Sequence, residues 1–181
     1  MDTTKTVMDS SSMVKSEHQQ SKHPLYDKWV LWAHLPHDTD WTIKSYQKII
    51  KMSNVEDMLS LYSVMPEKLI KNCMLFLMRS GINPTWEDPA NKEGGCFSFK
   101  VSNKTVPQVW KKLSYVLAGE TLSNNHKLSK VINGITISPK RAFCIVKIWM
   151  KNCSIQNPSK LTEISGLSVQ GCIFKKHKPE Y

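Results

Sequence analysis

Arginine is nearly absent from this chain: Arg79 and Arg141 are the only two among its 25 basic side chains. Lysine carries the remaining positive charge, as a hydrated point charge that attracts phosphate without the planar fork that reads its geometry. The five cysteines (Cys73, Cys96, Cys144, Cys153 and Cys172) are odd in number and include no Cys-x-x-Cys pair. Neither a zinc site nor a secreted disulfide framework is therefore signalled, and a reducing compartment fits best. No apolar run approaches the ~18–20 residues that a membrane span needs. Residues 1–22 lack the apolar core of a signal peptide. No Ser-His-Asp set or Gly-rich phosphate loop stands at a convincing spacing, which argues against an enzyme. His34 and His37 form a His-x-x-His, but Pro36 lies between them and no third ligand follows, so neither a metal nor a cofactor is expected.

What the chain does have is an excess of positive charge, +10 at neutral pH, and an apolar fraction of 40% over 181 residues. The first favours a polyanionic partner, and the second is enough for one core. The tail at 1–22, rich in Ser, Thr, Lys and Gln, is expected to be disordered, with one domain over 23–181. Residues 28–33 form an apolar run that suits a strand buried on both faces, and 45–51 a second strand. Asn54 then caps a helix whose Val55, Met58, Leu59, Tyr62 and Met65 recur at helical spacing, until Pro66 ends it. Further strands are expected at 73–78 and 96–101, with Gly94 and Gly95 marking a turn between them. Pro107 opens a second helix. A hairpin over 131–138 and 142–151, a short helix from Asn157 and a last strand over 168–175 complete an α+β domain. It is built on one antiparallel sheet with about three helices.

The six tryptophans divide by context. Trp29, Trp32 and Trp110 lie within apolar-periodic elements and belong to a core. Trp149 ends a strand and shares a face with Lys147 and Ile145. Trp41 and Trp86 stand on loops. Pro84 and Pro89 flank Trp86, and two acids, Glu87 and Asp88, follow it, so the segment is expected to be exposed. Two such indoles could close on opposite faces of one flat ligand, each stack contributing ~1–3 kcal/mol, with a further ~0.5–2 kcal/mol from a cationic ring. A carboxylate at Glu87 could accept paired N–H donors from a purine edge.

Order and spacing over residues 23–149 are similar to those of the eukaryotic translation initiation factor 4E family, the mRNA cap-binding proteins. The residues that carry the resemblance are His23-Pro24-Leu25, Trp29 to Trp32, Trp41, Val55-Glu56-Asp57 and Leu61-Tyr62. They continue with Gly81-Ile82, Pro84, Trp86-Glu87-Asp88, Asn91-Lys92, Gly94-Gly95, Trp110, Gly119-Glu120 and Ile148-Trp149. The resemblance implies a curved antiparallel sheet with its helices on the convex face and a cap-binding slot on the concave side. It implies that Trp41 and Trp86 sandwich 7-methylguanine, that Glu87 takes its N1–H and N2–H, and that Trp149 touches the N7-methyl group. It further implies a cytoplasmic (or nuclear) monomer that binds capped mRNA in translation initiation, with no membrane partner.

This chain departs from the family's pattern where the phosphates bind. The family's clamp aligns with Lys140 and Ile145, and a family arginine aligns with Cys96. Lys140, Arg141 and Lys147 are therefore the candidate phosphate residues. The family also docks a partner helix, from a scaffold or inhibitor, on the convex face. The corresponding residues here are His23, Pro24, Val55, Glu56, Leu59 and Gly119. Leu59 replaces a central tryptophan, and Lys111 stands where a leucine is usual. Those two changes leave open an alternative role, a divergent cap-binding repressor or competitor that does not recruit the initiation scaffold.

Overall fold

A computed structural model describes residues 22–177; apart from Lys22, the tail read at 1–22 lies outside the described residues. In chain order the elements are β1 (Pro24–His34), β2 (Gln47–Asn54), α1 (Val55–Val64), α2 (Glu67–Asn72), β3 (Met74–Arg79) and β4 (Gly95–Ser102). They continue with α3 (Val106–Ala118), the one-turn α4 (His126–Ser129), β5 (Ile132–Pro139), β6 (Phe143–Met150) and β7 (Ile173–Lys176). The seven strands form one sheet in the order β2-β1-β3-β5-β6-β4-β7. Every neighbouring pair is antiparallel.

Local chemistry explains where the helices begin and stop. The Asn54 side chain accepts the Asp57 N–H at 2.9 Å and caps α1, while Glu56 and Asp57 lie where the helix dipole favours acids. Met58 and Tyr62 face inward, and the Tyr62 hydroxyl donates to Ser114 Oγ at 2.6 Å, which ties α1 to α3. Pro66 ends α1 and at once caps α2, a helix that the sequence does not announce because Ile70 is its only buried residue. The helix expected from Asn157 is instead a single 3-10 turn over Pro158–Lys160. Asn157 does cap it, accepting the Ser159 N–H at 3.0 Å. The Thr162 N–H then bonds the Leu122 carbonyl at 2.9 Å, so a tertiary bond takes the donor that a continuing helix would use.

The two faces of the sheet differ. The convex, helix-covered face holds the main core, in which Trp29, Phe97, Trp110 and Leu113 are fully buried. The concave face carries a smaller cluster of Val30, Trp32, Phe76, Met78 and Trp149, with Tyr46, Met74 and Ile82 packed against it. Strand register arranges this face in rows. One row runs Lys48, Trp32, Phe76, Thr136, Lys147, Ser98, Ile173 from β2 to β7. Its neighbour runs Val30, Met78, Gly134, Trp149, Cys96, Lys175.

Strand order also places the loop that matters most. The β5–β6 hairpin is inserted between β3 and β4, so the 80–94 segment joining those strands must cross three inter-strand gaps, about 14 Å. Ile82 packs on the concave cluster as the segment sets out. At that starting end, Arg79 fixes the frame. Its guanidinium grips Glu120 with two bonds of 2.6 and 2.8 Å, reaches Asp27 at 2.9 Å, and lies 4.6 Å from the centre of the Trp29 ring. Glu120 holds its place in the left-handed region, with φ of 56°.

Candidate functional site

Two loops build the concave slot, and each is stiffened from within. In the 35–46 loop, Asp40 accepts the backbone N–H of Thr42 at 2.8 Å and its hydroxyl at 2.9 Å. Those bonds hold the Asp40 carboxyl below its usual range, the backbone bond foremost. Trp41 is thereby pinned between two fixed neighbours. Its indole stacks on His34, with ring centres 4.3 Å apart and planes within 6°. His34 is buried at the end of β1, and its Nε2–H donates to the Asp40 carbonyl at 2.8 Å. One indole face is thus braced. Trp41 as a whole residue remains 56% exposed.

The Trp86 loop is organised by the residues around Trp86. Asp88 is buried, unlike the solvent-facing acid that the sequence suggests. Its carboxylate accepts the N–H groups of Asn83 and Ala90, both at 2.9 Å, and so closes the loop on itself. Asn91, fully buried, donates to the carbonyls of Asn83 and Thr85 at 3.0 and 2.8 Å. Asn133 of β5 in turn donates to Asn91 Oδ1 and to the Ala90 carbonyl. Burying these amides requires such pairing. The result is a rigid platform from which Trp86 projects, 48% exposed.

Trp41, Trp86 and Glu87 line one cavity of about 220 Å³ together with Tyr46, Phe76, Thr136, Lys147 and Trp149. That is smaller than the roughly 300–1,000 Å³ typical of drug-sized sites and suits a single nucleobase. Ring contacts run from end to end of this site: Trp149 to Phe76 at 6.5 Å, Phe76 to Tyr46 at 5.3 Å, and Tyr46 to His34 at 4.9 Å. Trp149 is nearly buried, and its Nε1–H donates to Thr136 Oγ1 at 2.7 Å, which fixes the ring. Burial and the nearby Glu87 charge push the Tyr46 phenol up to about 12, so it stays neutral. Trp149 also packs at 4.7 Å against His177, whose Nδ1–H donates to the Asn91 carbonyl at 2.7 Å.

A second lobe of about 490 Å³ adjoins the slot and shares Trp86, Ser138, Lys147 and Trp149 with it. Of the candidate phosphate residues, Lys140 and Lys147 line this lobe; Arg141 does not, and stands exposed in the β5–β6 turn. Tyr46, Phe76, Thr136 and His177 went unremarked in the sequence as site residues. Only the strand register could have found Phe76 and Thr136, which it sets between Trp32 and Lys147. His34 serves as the brace for Trp41, and no group of three or more His, Cys, Asp or Glu suited to a metal occurs among the described residues.

On the convex side, His23 Nδ1 meets Glu56 Oε1 at 2.6 Å, and the Val55 N–H donates to the His23 carbonyl at 2.8 Å. The His23 bond leads in holding Glu56 below its usual range. Val55 and Leu59 are exposed on α1, as are Pro24 at the start of β1 and Gly119 at the end of α3. No helix among the described residues is long and apolar enough to cross a membrane.

Comparison with known proteins follows the same outline. The family model described as eukaryotic initiation factor 4E matches residues 24–177. A relative from Candida albicans, the eukaryotic translation initiation factor 4E, is 30% identical over 159 residues, covering 82% of this chain and 72% of its own. The Saccharomyces cerevisiae protein of the same name is 27% identical over 157 residues, covering 83% of this chain and 70% of its own. Among solved structures, a schistosome eIF4E complexed with m7GpppG and 4E-BP is similar with a TM-score of 0.66 and 25% identity, over 74% of each chain.

Proposed function

The chain belongs to the eukaryotic initiation factor 4E family, and from that premise we propose that its concave slot binds the 7-methylguanosine cap of mRNA during translation initiation in the cytoplasm. The observation that carries the reading is that two exposed indoles, brought in by separate loops, line one base-sized cavity with Glu87. Methylation at N7 makes guanine cationic. The ring then stacks between the electron-rich faces of Trp41 and Trp86 with cation–π attraction added. Glu87 accepts the N1–H and N2–H as a charge-assisted pair, the stronger because the cationic ring acidifies N1–H. Trp149, held by Thr136, lies on the side of the slot that adjoins the lysine lobe, where the N7-methyl group and ribose would pass. Lys140 and Lys147 receive the phosphates. Binding and release suffice for this role, and no chemical step on the RNA is proposed.

Tryptophan fluorescence tests this directly. Titration with 7-methyl-GTP should quench the wild-type protein, GTP should bind far more weakly, and Trp86→Ala should weaken the methylated ligand by about tenfold or more. Equal affinity for the two nucleotides would refute the reading.

A further inference from the structure

We propose that Lys175, on the edge strand β7, is a phosphate-gripping residue that acts with Lys147 and sets the preference of the site for a polyphosphate over a bare nucleoside. This inference rests on the cap-binding reading. The lobe beside the base slot is lined by Lys140, Lys147, Lys175 and Lys176, and no carboxylate is among its lining residues as described. A concave surface bearing one sign of charge concentrates ions of the other.

Register gives Lys175 its direction. Lys175 pairs with Cys96, and Cys96 pairs with Trp149, so the three share the concave face and lie in one row. In the adjacent row Lys147 pairs with Ser98. The residues between the two lysines are therefore short, Cys96 and Ser98, with their side chains 3.8 Å apart. Short side chains leave a trough in the sheet, flanked on β6 and β7 by long cationic ones. The trough leads away from Trp149, at the end of the base slot.

The position of β7 is itself fixed by packing. Phe174 meets Phe97 edge-to-face at 5.0 Å. Gly95 lets the strand come close, since a methyl group there would lie 2.6 Å from the Phe174 ring and from the Lys175 carbonyl oxygen. A lysine on an edge strand also discourages pairing with other sheets. That role is indifferent to ligand, so the ligand separates the two.

The experiment compares 7-methylguanosine with 7-methyl-GTP on wild type, Lys175→Gln, Lys175→Arg and Arg141→Gln, by calorimetry or fluorescence quenching. Wild type should prefer the triphosphate. Lys175→Gln should lose about tenfold in triphosphate affinity and leave the nucleoside unchanged. Lys175→Arg should keep the preference, and Arg141→Gln should alter neither ligand. A Lys175→Gln protein with the wild-type triphosphate-to-nucleoside ratio would overturn the assignment while leaving cap binding intact. A wild type that bound neither ligand would overturn the cap-binding reading and this inference with it.

Discussion

At the scale of single residues, the slot depends on side chains whose polar atoms are already engaged. Thr136 fixes Trp149, His34 braces Trp41, and Asp88 closes the Trp86 loop. Such support keeps a binding residue in place before the ligand arrives, and it reduces the ordering cost of association. His177, packed against Trp149, adds a titratable group to this support. With Nδ1–H given to the Asn91 carbonyl, its Nε2 is buried without a partner among the described residues. Burial lowers its pKa from the ordinary 6.5, with the Lys147 charge acting in the same direction and the Asn91 bond opposing. The unfolded chain therefore takes up a proton at a higher pH than the fold does, and stability rises with pH between those two values. The contribution of His177 is complete above about 6.5 and is lost as pH falls through its lower, folded pKa. Thermal unfolding midpoints should accordingly drop between pH 7 and pH 5 in wild type, and less steeply in His177→Gln, whose amide can still donate to Asn91. Parallel pH profiles would remove His177 from this role.

At the scale of elements, α1 offers the clearest departure from the family's sequence pattern. Leu59 is 53% exposed and Val55, one turn before it, 39% exposed, so this face of the helix presents apolar surface to solvent. The tryptophan usual at this position would add an indole N–H donor, of the kind that makes aromatic anchors dominate small interfaces. Leu59→Trp should therefore bind a helical Tyr-x-x-x-x-Leu-Leu scaffold peptide several-fold more tightly than wild type, as read by fluorescence anisotropy. Equal affinity would place Leu59 outside the interface. Elements whose signal is local were legible in the sequence: the Asn54 cap, the Pro66 stop, the Trp110 stripe of α3 and the β5–β6 hairpin. α2 was not, because six residues with one buried position carry no periodicity. The short helix expected after Asn157 failed for another reason, a hydrogen bond to Leu122, distant in sequence. The role of Lys175 stayed hidden likewise, since β7 is four residues long and its facing is set by β4.

At the scale of the whole molecule, the site is a consequence of strand order. Inserting β5 and β6 between β3 and β4 forces the Trp86 loop to travel across the sheet, while Trp41 sits on the separate β1–β2 connection. Sequence patterns could sort Trp41 and Trp86 away from the core tryptophans, but their meeting in one cavity depends on contacts far apart in the chain. The Arg79–Glu120 pair, partly buried and bidentate, locks β3 to the end of α3 at the starting end of that crossing. The most direct test is a crystal structure of the protein with 7-methyl-GTP. The base should lie between the Trp41 and Trp86 rings, with Glu87 oxygens at hydrogen-bonding distance, about 2.7–3.2 Å, from N1 and N2. A ligand found elsewhere, or two indoles that leave the base unflanked, would contradict the central claim.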